Sequence, residues 1–83
     1  MKKYLVDVYL PTVGKHLNAY VPSTKEVGEV INLLAKAAES LTDGSYKASP
    51  EAMLMNAVSG APYELSITIE EAGIRNASQL ILI

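Results

Sequence analysis

Hydrophobic and polar residues alternate at the start of the chain. In residues 4–10 the even-numbered side chains are all apolar, whereas the odd-numbered positions include Asp7, so the even positions are predicted to face the core. Residues 15–21 repeat the alternation, with the odd-numbered side chains from Leu17 to Val21 on the inner face. Between them, residues 11–14 contain the Pro and Gly that are typical of a turn. This pattern predicts an N-terminal β-hairpin.

The spacing of apolar residues changes to that of a helix after the hairpin. Ser23 followed by Glu26 matches a capping box, in which the hydroxyl and the carboxylate each accept a backbone N–H at the start of the helix. Gly28 is expected to let the helix pack closely on the sheet, and Gly44 to end the helix with a left-handed cap. The predicted buried stripe of this helix consists of Val27, Val30, Ile31, Leu34, Ala38 and Leu41.

The region after the helix predicts two further strands. Residues 51–58 suit either a helix or a strand by composition, and we interpret Met53 to Val58 as a strand. A turn over residues 59–62 separates it from Tyr63 to Leu65, which is predicted to form a short fourth strand.

The chain ends with a short turn and a last strand. Thr68 to Ile74 reads as one helical turn that Thr68 caps and Gly73 closes. Leu80 to Ile83 are four consecutive apolar residues, typical of a strand. We expect this strand in the interior of the sheet, because an exposed apolar edge would promote aggregation.

Composition restricts the class of protein. With 83 residues, 49% of them hydrophobic and 19% charged, the chain is predicted to be a single domain over residues 1–83. The absence of cysteine excludes disulfides, thiol catalysis and Cys-ligated metals. The net charge is −2 and the basic residues are scattered, so we expect no nucleic-acid partner. No signal peptide or membrane-inserting segment is recognisable, and a cytoplasmic location is the expectation.

Few residues are candidates for a catalytic or metal-binding role. His16, the lone histidine, is predicted on the outer face of the second strand with no second ligand at a suitable spacing, which favours a solvated surface residue over a metal ligand or base. Glu70 and Glu71 are neighbours on a helical turn and point in different directions, which favours stabilisation of the turn dipole over acid–base catalysis. No glycine motif for phosphate binding occurs. The sequence therefore predicts no enzyme activity, no cofactor and no metal.

The predicted order of elements resembles the ubiquitin-like β-grasp fold, an α+β architecture in which a mixed four- to five-stranded sheet packs on one main helix. Thr68-Ile69-Glu70-Glu71, followed by Ile74 and Leu80, resembles the segment before the last strand of ubiquitin. The same residues and the final Leu80-Ile81-Leu82-Ile83 are similar to the ending of the YukD/EsaB-like family, with Glu70-Glu71 in place of the usual Ser-Asp. This resemblance implies a cytoplasmic bacterial protein that is an accessory of a type VII (ESX-type) secretion system.

The C-terminus decides between two functions. Conjugated ubiquitin-like proteins and sulfur carriers end in a Gly-Gly tail whose carboxylate is activated, whereas this chain stops at Ile83 without that tail. We therefore expect a non-catalytic protein that acts through contacts with a protein partner, including components of the secretion machinery as the resemblance implies. The alternative is a tail-dependent ubiquitin-like carrier or modifier whose tail is missing from this chain.

A single helix leaves one face of the sheet open. That face would carry apolar side chains, although the two methionines in the set also suit a core. A patch of this size predicts a protein-binding surface or a homodimer through the open sheet face, unless lysines and the 45–50 loop shield it. The predicted interface residues are Leu5, Tyr9, Tyr20, Met53, Met55, Ile81 and Ile83.

Overall fold

The computed structural model describes residues 2–83 and consists of four strands and one long helix packed on a mixed sheet. Within that range, no helix reaches the length and apolarity that crossing a bilayer requires. The elements, in chain order, are β1 (Lys3–Leu10), β2 (Lys15–Pro22), α1 (Val27–Leu41), β3 (Leu54–Asn56) and β4 (Gln79–Leu82).

The strand order in the sheet is β2-β1-β4-β3. β1 pairs antiparallel with β2 and parallel with β4, and β3 pairs antiparallel with β4. The last strand is therefore enclosed by strands on both sides, which confirms the interior position predicted from its apolar sequence. The N-terminal hairpin is also confirmed, with Val8 opposite Leu17.

The core lies between the sheet and α1. Alternation predicted its strand residues correctly, because the even-numbered residues of β1 are all buried and Leu80 and Leu82 of β4 are almost fully enclosed. The helical stripe was predicted with one error: Leu41 is 68% exposed, and Ala35 takes part in the core instead. Leu41 is the last helical residue and lies on the same flank as the exposed Leu33 and Ala37.

The helix does not start with the predicted capping box. The cap position of α1 is Glu26, and no side chain accepts a hydrogen bond from the first turn. Those backbone N–H groups are satisfied by another part of the chain, because Val27 and Gly28 donate to the carbonyl oxygens of Ile67 (2.8 Å) and Leu65 (3.0 Å). A long-range backbone contact therefore replaces the local cap.

Gly28 permits close packing, but against a loop rather than against the sheet. A Cβ atom at this position would lie 3.3 Å from the Leu65 carbonyl oxygen and 3.6 Å from the Leu65 Cβ. The glycine therefore lets residues 65–67 approach the first turn of the helix, where their carbonyls accept its N–H groups.

The helix ends close to the predicted place, but Asp43 and not Gly44 is the left-handed cap residue. Asp43 follows the cap position Thr42 and adopts a φ of +56°, and the Gly44 N–H donates to the Glu39 carbonyl (2.9 Å). The buried Thr42 hydroxyl donates to the Ala38 carbonyl (2.7 Å) and accepts the Tyr46 N–H (2.9 Å). This places the Tyr46 side chain in the core, and burial raises the pKa of its hydroxyl above the ordinary 10.0.

The strand predicted over residues 53–58 is shorter, and the strand predicted over residues 63–65 does not form. A tight turn starts at Asn56, because its side-chain oxygen accepts the Val58 N–H (2.8 Å) and its carbonyl accepts the Gly60 N–H (2.7 Å). The chain then returns along β3 with only an isolated bridge, between Met55 and Pro62. The Asn56 N–H donates to the Ala61 carbonyl and the Tyr63 N–H donates to the Leu54 carbonyl on either side of this bridge, but no longer ladder forms, and the described sheet has four strands.

A capping box does occur in the turn before the last strand. The Thr68 N–H donates to Glu71 Oε1 (2.9 Å), and the Glu71 N–H donates to Thr68 Oγ1 (3.1 Å). Gly73 closes the turn with a φ of +80°, as predicted. The turn is fastened to the start of the helix by the Ile69 N–H, which donates to the Lys25 carbonyl (2.9 Å).

We expect Glu71 to make the stability sensitive to acid. Hydrogen bonds from the Thr68 backbone N–H, and then from the Thr68 side chain, hold the pKa of the Glu71 carboxyl below its ordinary value of 4.5. Because folding lowers this pKa, the stabilisation is present above pH 4.5 and is lost as the pH falls through the folded value. Urea unfolding near neutral pH and at about pH 3 should therefore show a smaller acid loss for Glu71→Gln than for the wild type. Equal losses in the two proteins would contradict this role.

Candidate interaction surface on the open sheet face

The sheet register brings residues of four strands into one row on the face opposite α1. Met55 lies opposite Ile81, Ile81 opposite Tyr9, and Tyr9 opposite His16. The first three are partly buried by one another and by the sheet, and their neighbours in sequence point to the core. Three predicted interface residues therefore form a continuous apolar row that ends at a histidine.

A second apolar pair extends this row at the end of the sheet. Met53 and Ile83 exchange both backbone hydrogen bonds, each 3.0 Å long, just beyond the last paired residues of β3 and β4. Their side chains are 43% and 41% exposed. We call the resulting set the apolar cluster, and it consists of Tyr9, Met53, Met55, Ile81 and Ile83.

The loop that was considered as a shield lies beside the apolar cluster. Ser45, Lys47 and Ser49 line a shallow groove whose wall includes Ile83. Ile83 and Met53 nevertheless keep about two fifths of their surface exposed. The cluster therefore remains accessible from the open face.

A polar row separates the apolar cluster from the other two predicted interface residues. Asp7 lies opposite Asn18 on one side and opposite Gln79 on the other. Leu5 and Tyr20, which pair with each other, lie beyond this row and are 39% and 68% exposed. The structure thus divides the predicted patch into two apolar regions.

Leu5 and Tyr20 border a shallow, open groove of about 790 Å³ that also contains Ala77. The Leu5 N–H donates to Asn76 Oδ1 (2.8 Å), and the Ala77 N–H donates to the Leu5 carbonyl (2.8 Å). Ala77 adopts a φ of +68°, which is unusual for a residue with a side chain. No sequence signal indicated that residues 76–77 would form the floor of a groove.

His16 forms a pair that the sequence did not suggest. Its Nδ1 lies 3.0 Å from Asp7 Oδ2, and its ring packs on Tyr9 with 4.6 Å between the ring centroids. His16 and Asp7 are diagonal neighbours across the hairpin, so their contact depends on the strand register and not on sequence spacing. Both side chains are solvated, at 60% and 35% exposure, which is consistent with a polar margin of the apolar cluster.

The other carboxylates do not converge on a site. Glu71 is engaged in its capping box, whereas Glu70 Oε1 accepts a long hydrogen bond from the Tyr4 hydroxyl (3.4 Å). Among residues 2–83, no three His, Cys, Asp or Glu side chains come together in a way that would hold a metal ion.

Comparison with known proteins identifies the fold. No protein-family model matches the sequence, and no curated protein matches it. Among solved structures, the EccD5 ubiquitin-like domain from Mycobacterium xenopi superposes with a TM-score of 0.82 at 13% identity, over 100% of this chain and 94% of that one. The ubiquitin-like domain of the Mycobacterium tuberculosis type VII secretion system protein ECCD1 gives a TM-score of 0.79 at 14% identity, over 100% and 99%.

A third similar structure belongs to a large assembly. A chain of the MycP5-free ESX-5 inner membrane complex matches with a TM-score of 0.81 at 17% identity, over 100% of this chain and 21% of that chain. A chain of a toluene 4-monooxygenase complex has a similar fold too, so the fold by itself does not specify a function.

The chain therefore has the ubiquitin-like β-grasp fold, as the order of its predicted elements suggested. Its structural neighbours include the ubiquitin-like domains of type VII secretion EccD proteins. At these identities the similarity establishes architecture, and the role of the chain has to be argued from its own surface.

Proposed function

We propose that this chain is a non-catalytic ubiquitin-like protein that acts through protein–protein contacts, as a cytoplasmic accessory or regulatory component of a bacterial type VII secretion system. The observation that carries the proposal is the apolar cluster, a continuous set of five side chains on the sheet face that α1 leaves open. The similarity to EccD ubiquitin-like domains supports the secretion setting. The C-terminal sequence supports a YukD/EsaB-like protein more specifically.

The apolar cluster has the composition of a binding surface. Tyrosine and methionine are enriched in protein interfaces, where methionine adapts to the shape of the partner. Ile81 is at the centre, flanked by Met55 and Tyr9, and such a central position is typical of residues that dominate binding energy. The expected partner is a type VII component that presents a complementary apolar surface.

The margin of the apolar cluster should orient that partner. His16 and Asp7 form a polar, solvated pair at one end of the central row. Polar groups at a rim contribute specificity more than affinity, because they remain partly hydrated. We expect the partner to place hydrogen-bonding groups over this pair.

Binding should depend on the centre of the apolar cluster. Ile81→Lys places a charge in the middle of the contact and is expected to weaken binding at least tenfold, since burying an unpaired charge is costly. The measurement is the affinity of the purified protein for the cytoplasmic domains of type VII components from the same genome. The matched control is Leu65→Lys, because Leu65 is 57% exposed and lies outside the cluster.

Each result of this test has a definite meaning. Loss of binding in Ile81→Lys, with unchanged binding in Leu65→Lys and unchanged circular dichroism in both, supports the proposal. Equal binding by the two variants would reject the apolar cluster as the contact surface. A wild type that binds none of the components would reject the secretion role.

A further inference from the structure

The two edge strands of the sheet differ in how many of their outward backbone groups are hydrogen-bonded. On the β3 side, the Asn56 N–H donates to the Ala61 carbonyl (2.9 Å) and the Tyr63 N–H donates to the Leu54 carbonyl (3.0 Å), so the returning chain covers that edge. On the other side, β2 is eight residues long and, within residues 2–83, has no strand beyond it. Long open edges present unpaired backbone groups that can pair with another chain.

The hydrogen bonds of β1 reveal which backbone groups of β2 are free. The Asp7 N–H donates to the Ser78 carbonyl, and the Leu5 carbonyl accepts the Ala77 N–H, so the odd-numbered residues of β1 direct their backbone groups toward β4. The even-numbered residues of β1 therefore pair with β2. The residues of β2 opposite the odd positions direct their N–H and C=O groups outward, and these are His16, Asn18 and Tyr20, followed by Pro22.

One flank of α1 carries an exposed apolar stripe that follows the same edge. Leu33, Ala37 and Leu41 recur at intervals of four residues and are all exposed, with Leu33 at 56% and Leu41 at 68%. The opposite flank faces the β3 side, because Glu39 Oε1 accepts the Ala48 N–H there (2.7 Å). The stripe therefore lies on the β2 side of the helix.

We propose that this edge is a dimer interface, in which β2 pairs antiparallel with β2 of a second copy of the chain around a two-fold axis at Asn18. In this register His16 lies opposite Tyr20 of the second copy, and Asn18 lies opposite its own equivalent. All three outward N–H groups of each copy then meet carbonyl groups, which gives about six intermolecular backbone hydrogen bonds by the antiparallel pattern. The stripe of each helix lies above the paired edges.

The side chains of the edge are complementary to themselves in this register. Lys15 lies opposite Val21 and Leu17 opposite Ala19, so no like charges oppose each other and the centre of the inner side is apolar. A symmetric dimer needs one patch that fits its own copy, and this edge meets that condition. Pairing would cover Tyr20, Leu33 and Leu41, three of the eight large apolar side chains that the described chain exposes.

Other registers of the β2–β2 pair leave more of the outward backbone groups without a partner. Moving the axis to residue 19 places His16 opposite Pro22, which has no N–H to donate. Moving it to residue 17 places Tyr20 opposite Gly14 in the hairpin turn, outside the strand. The Asn18 register is the one that uses all three outward residues of β2.

A single cysteine tests this register, because the chain has no cysteine of its own. In Asn18→Cys the two cysteine Cα atoms would lie about 5.5 Å apart, which a disulfide can bridge. In His16→Cys the equivalent atoms would be separated by four residues along the strand, roughly 13 Å, which a disulfide cannot bridge. Val58→Cys, at an 86% exposed position in a turn, is the control for disulfides that form through random collision of two monomers.

We expect Asn18→Cys to form the covalent dimer at least tenfold faster than either control variant under a mild oxidant. An equimolar mixture of His16→Cys and Tyr20→Cys should cross-link between the two variants, because those residues oppose each other across the axis. A rate for Asn18→Cys no faster than that for Val58→Cys would overturn the proposal.

The solution mass provides a second, independent readout. The wild type is expected to shift from the monomer mass of 8.9 kDa to twice that mass as its concentration rises. Asn18→Pro removes an outward N–H without removing a bond to β1, so it should remain folded and monomeric. Ile81→Lys should keep the dimer, which separates this interface from the apolar cluster. A dimer that survives Asn18→Pro but not Ile81→Lys would assign self-association to the open face and reject the edge.

Discussion

Leu80→Ala is expected to lower the free energy of unfolding by about 3 kcal/mol, because the Leu80 side chain is 1% exposed. It faces α1 from β4, the strand that pairs with β1 on one side and β3 on the other. Removing its side chain leaves a cavity at the centre of the sheet, where strands on both sides restrict relaxation. The measurement is urea unfolding followed by far-ultraviolet circular dichroism, with the same slope assumed for both proteins.

Ile81→Ala is the matched control for this experiment. Ile81 is the next residue of the same strand but points to the open face, so it loses fewer contacts and should cost about 1 kcal/mol. The two variants place the same residue, alanine, at adjacent positions of the same strand. Equal destabilisation would mean that the open face is packed as tightly as the core, which would contradict both the fold and the apolar cluster.

Ile69→Ala is expected to cost about 3 kcal/mol as well, although it lies in a turn. Its side chain is fully buried, and its N–H donates to the Lys25 carbonyl, so it joins the turn before β4 to the start of α1. Loss of this anchor should also loosen residues 65–67, whose carbonyls cap the helix. Hydrogen exchange of the Val27 and Gly28 amides should therefore accelerate.

Leu65→Ala controls for the side chain in the same region. Leu65 is 57% exposed and contributes to the helix cap through its backbone carbonyl, which alanine retains. We expect a loss below about 1 kcal/mol and unchanged exchange at Gly28. If Leu65→Ala were as harmful as Ile69→Ala, the anchor would lie in the loop and not in the turn.

The fold was predictable where the period of hydrophobic residues is regular. Alternation placed the inner residues of β1 and β4, such as Val8 and Leu80, and the helical period placed most of the stripe of α1. These patterns record which side of an element is removed from water, and the removal of apolar surface from water is the main driving force of folding. They suffice to define a ubiquitin-like order of elements.

Local motifs were less informative, because one sequence pattern can have two outcomes. Ser23 and Glu26 match the same capping box as Thr68 and Glu71, but only the second pair forms it. At the first site the backbone of residues 65–67 binds the helix start, a contact that no local sequence encodes. The burial of Tyr46 was missed for a similar reason, because its position depends on a hydrogen bond to the buried Thr42 hydroxyl.

The candidate surface was predictable as a face but not as a pattern. Alternation assigned Leu5, Tyr9 and Ile81 to the open face, whereas the strand register decides that Asp7, Asn18 and Gln79 separate Leu5 from the other two. Register follows from turn geometry and tertiary packing. The pairing of His16 with Asp7 depends on the same register and was therefore missed.

The central position of β4 has a consequence for how the chain folds. β1 is completed by contacts with residues close to the far end of the sequence, as the Leu5 N–H bonds to an Asn76 side chain 71 residues away. Closing so long a loop is an entropic cost that precedes the stabilising contacts, and topologies of this kind fold slowly. During synthesis the hairpin and helix emerge first with their inner faces uncovered. The sheet can therefore be completed only when residues 79–82 are available to pair with both β1 and β3.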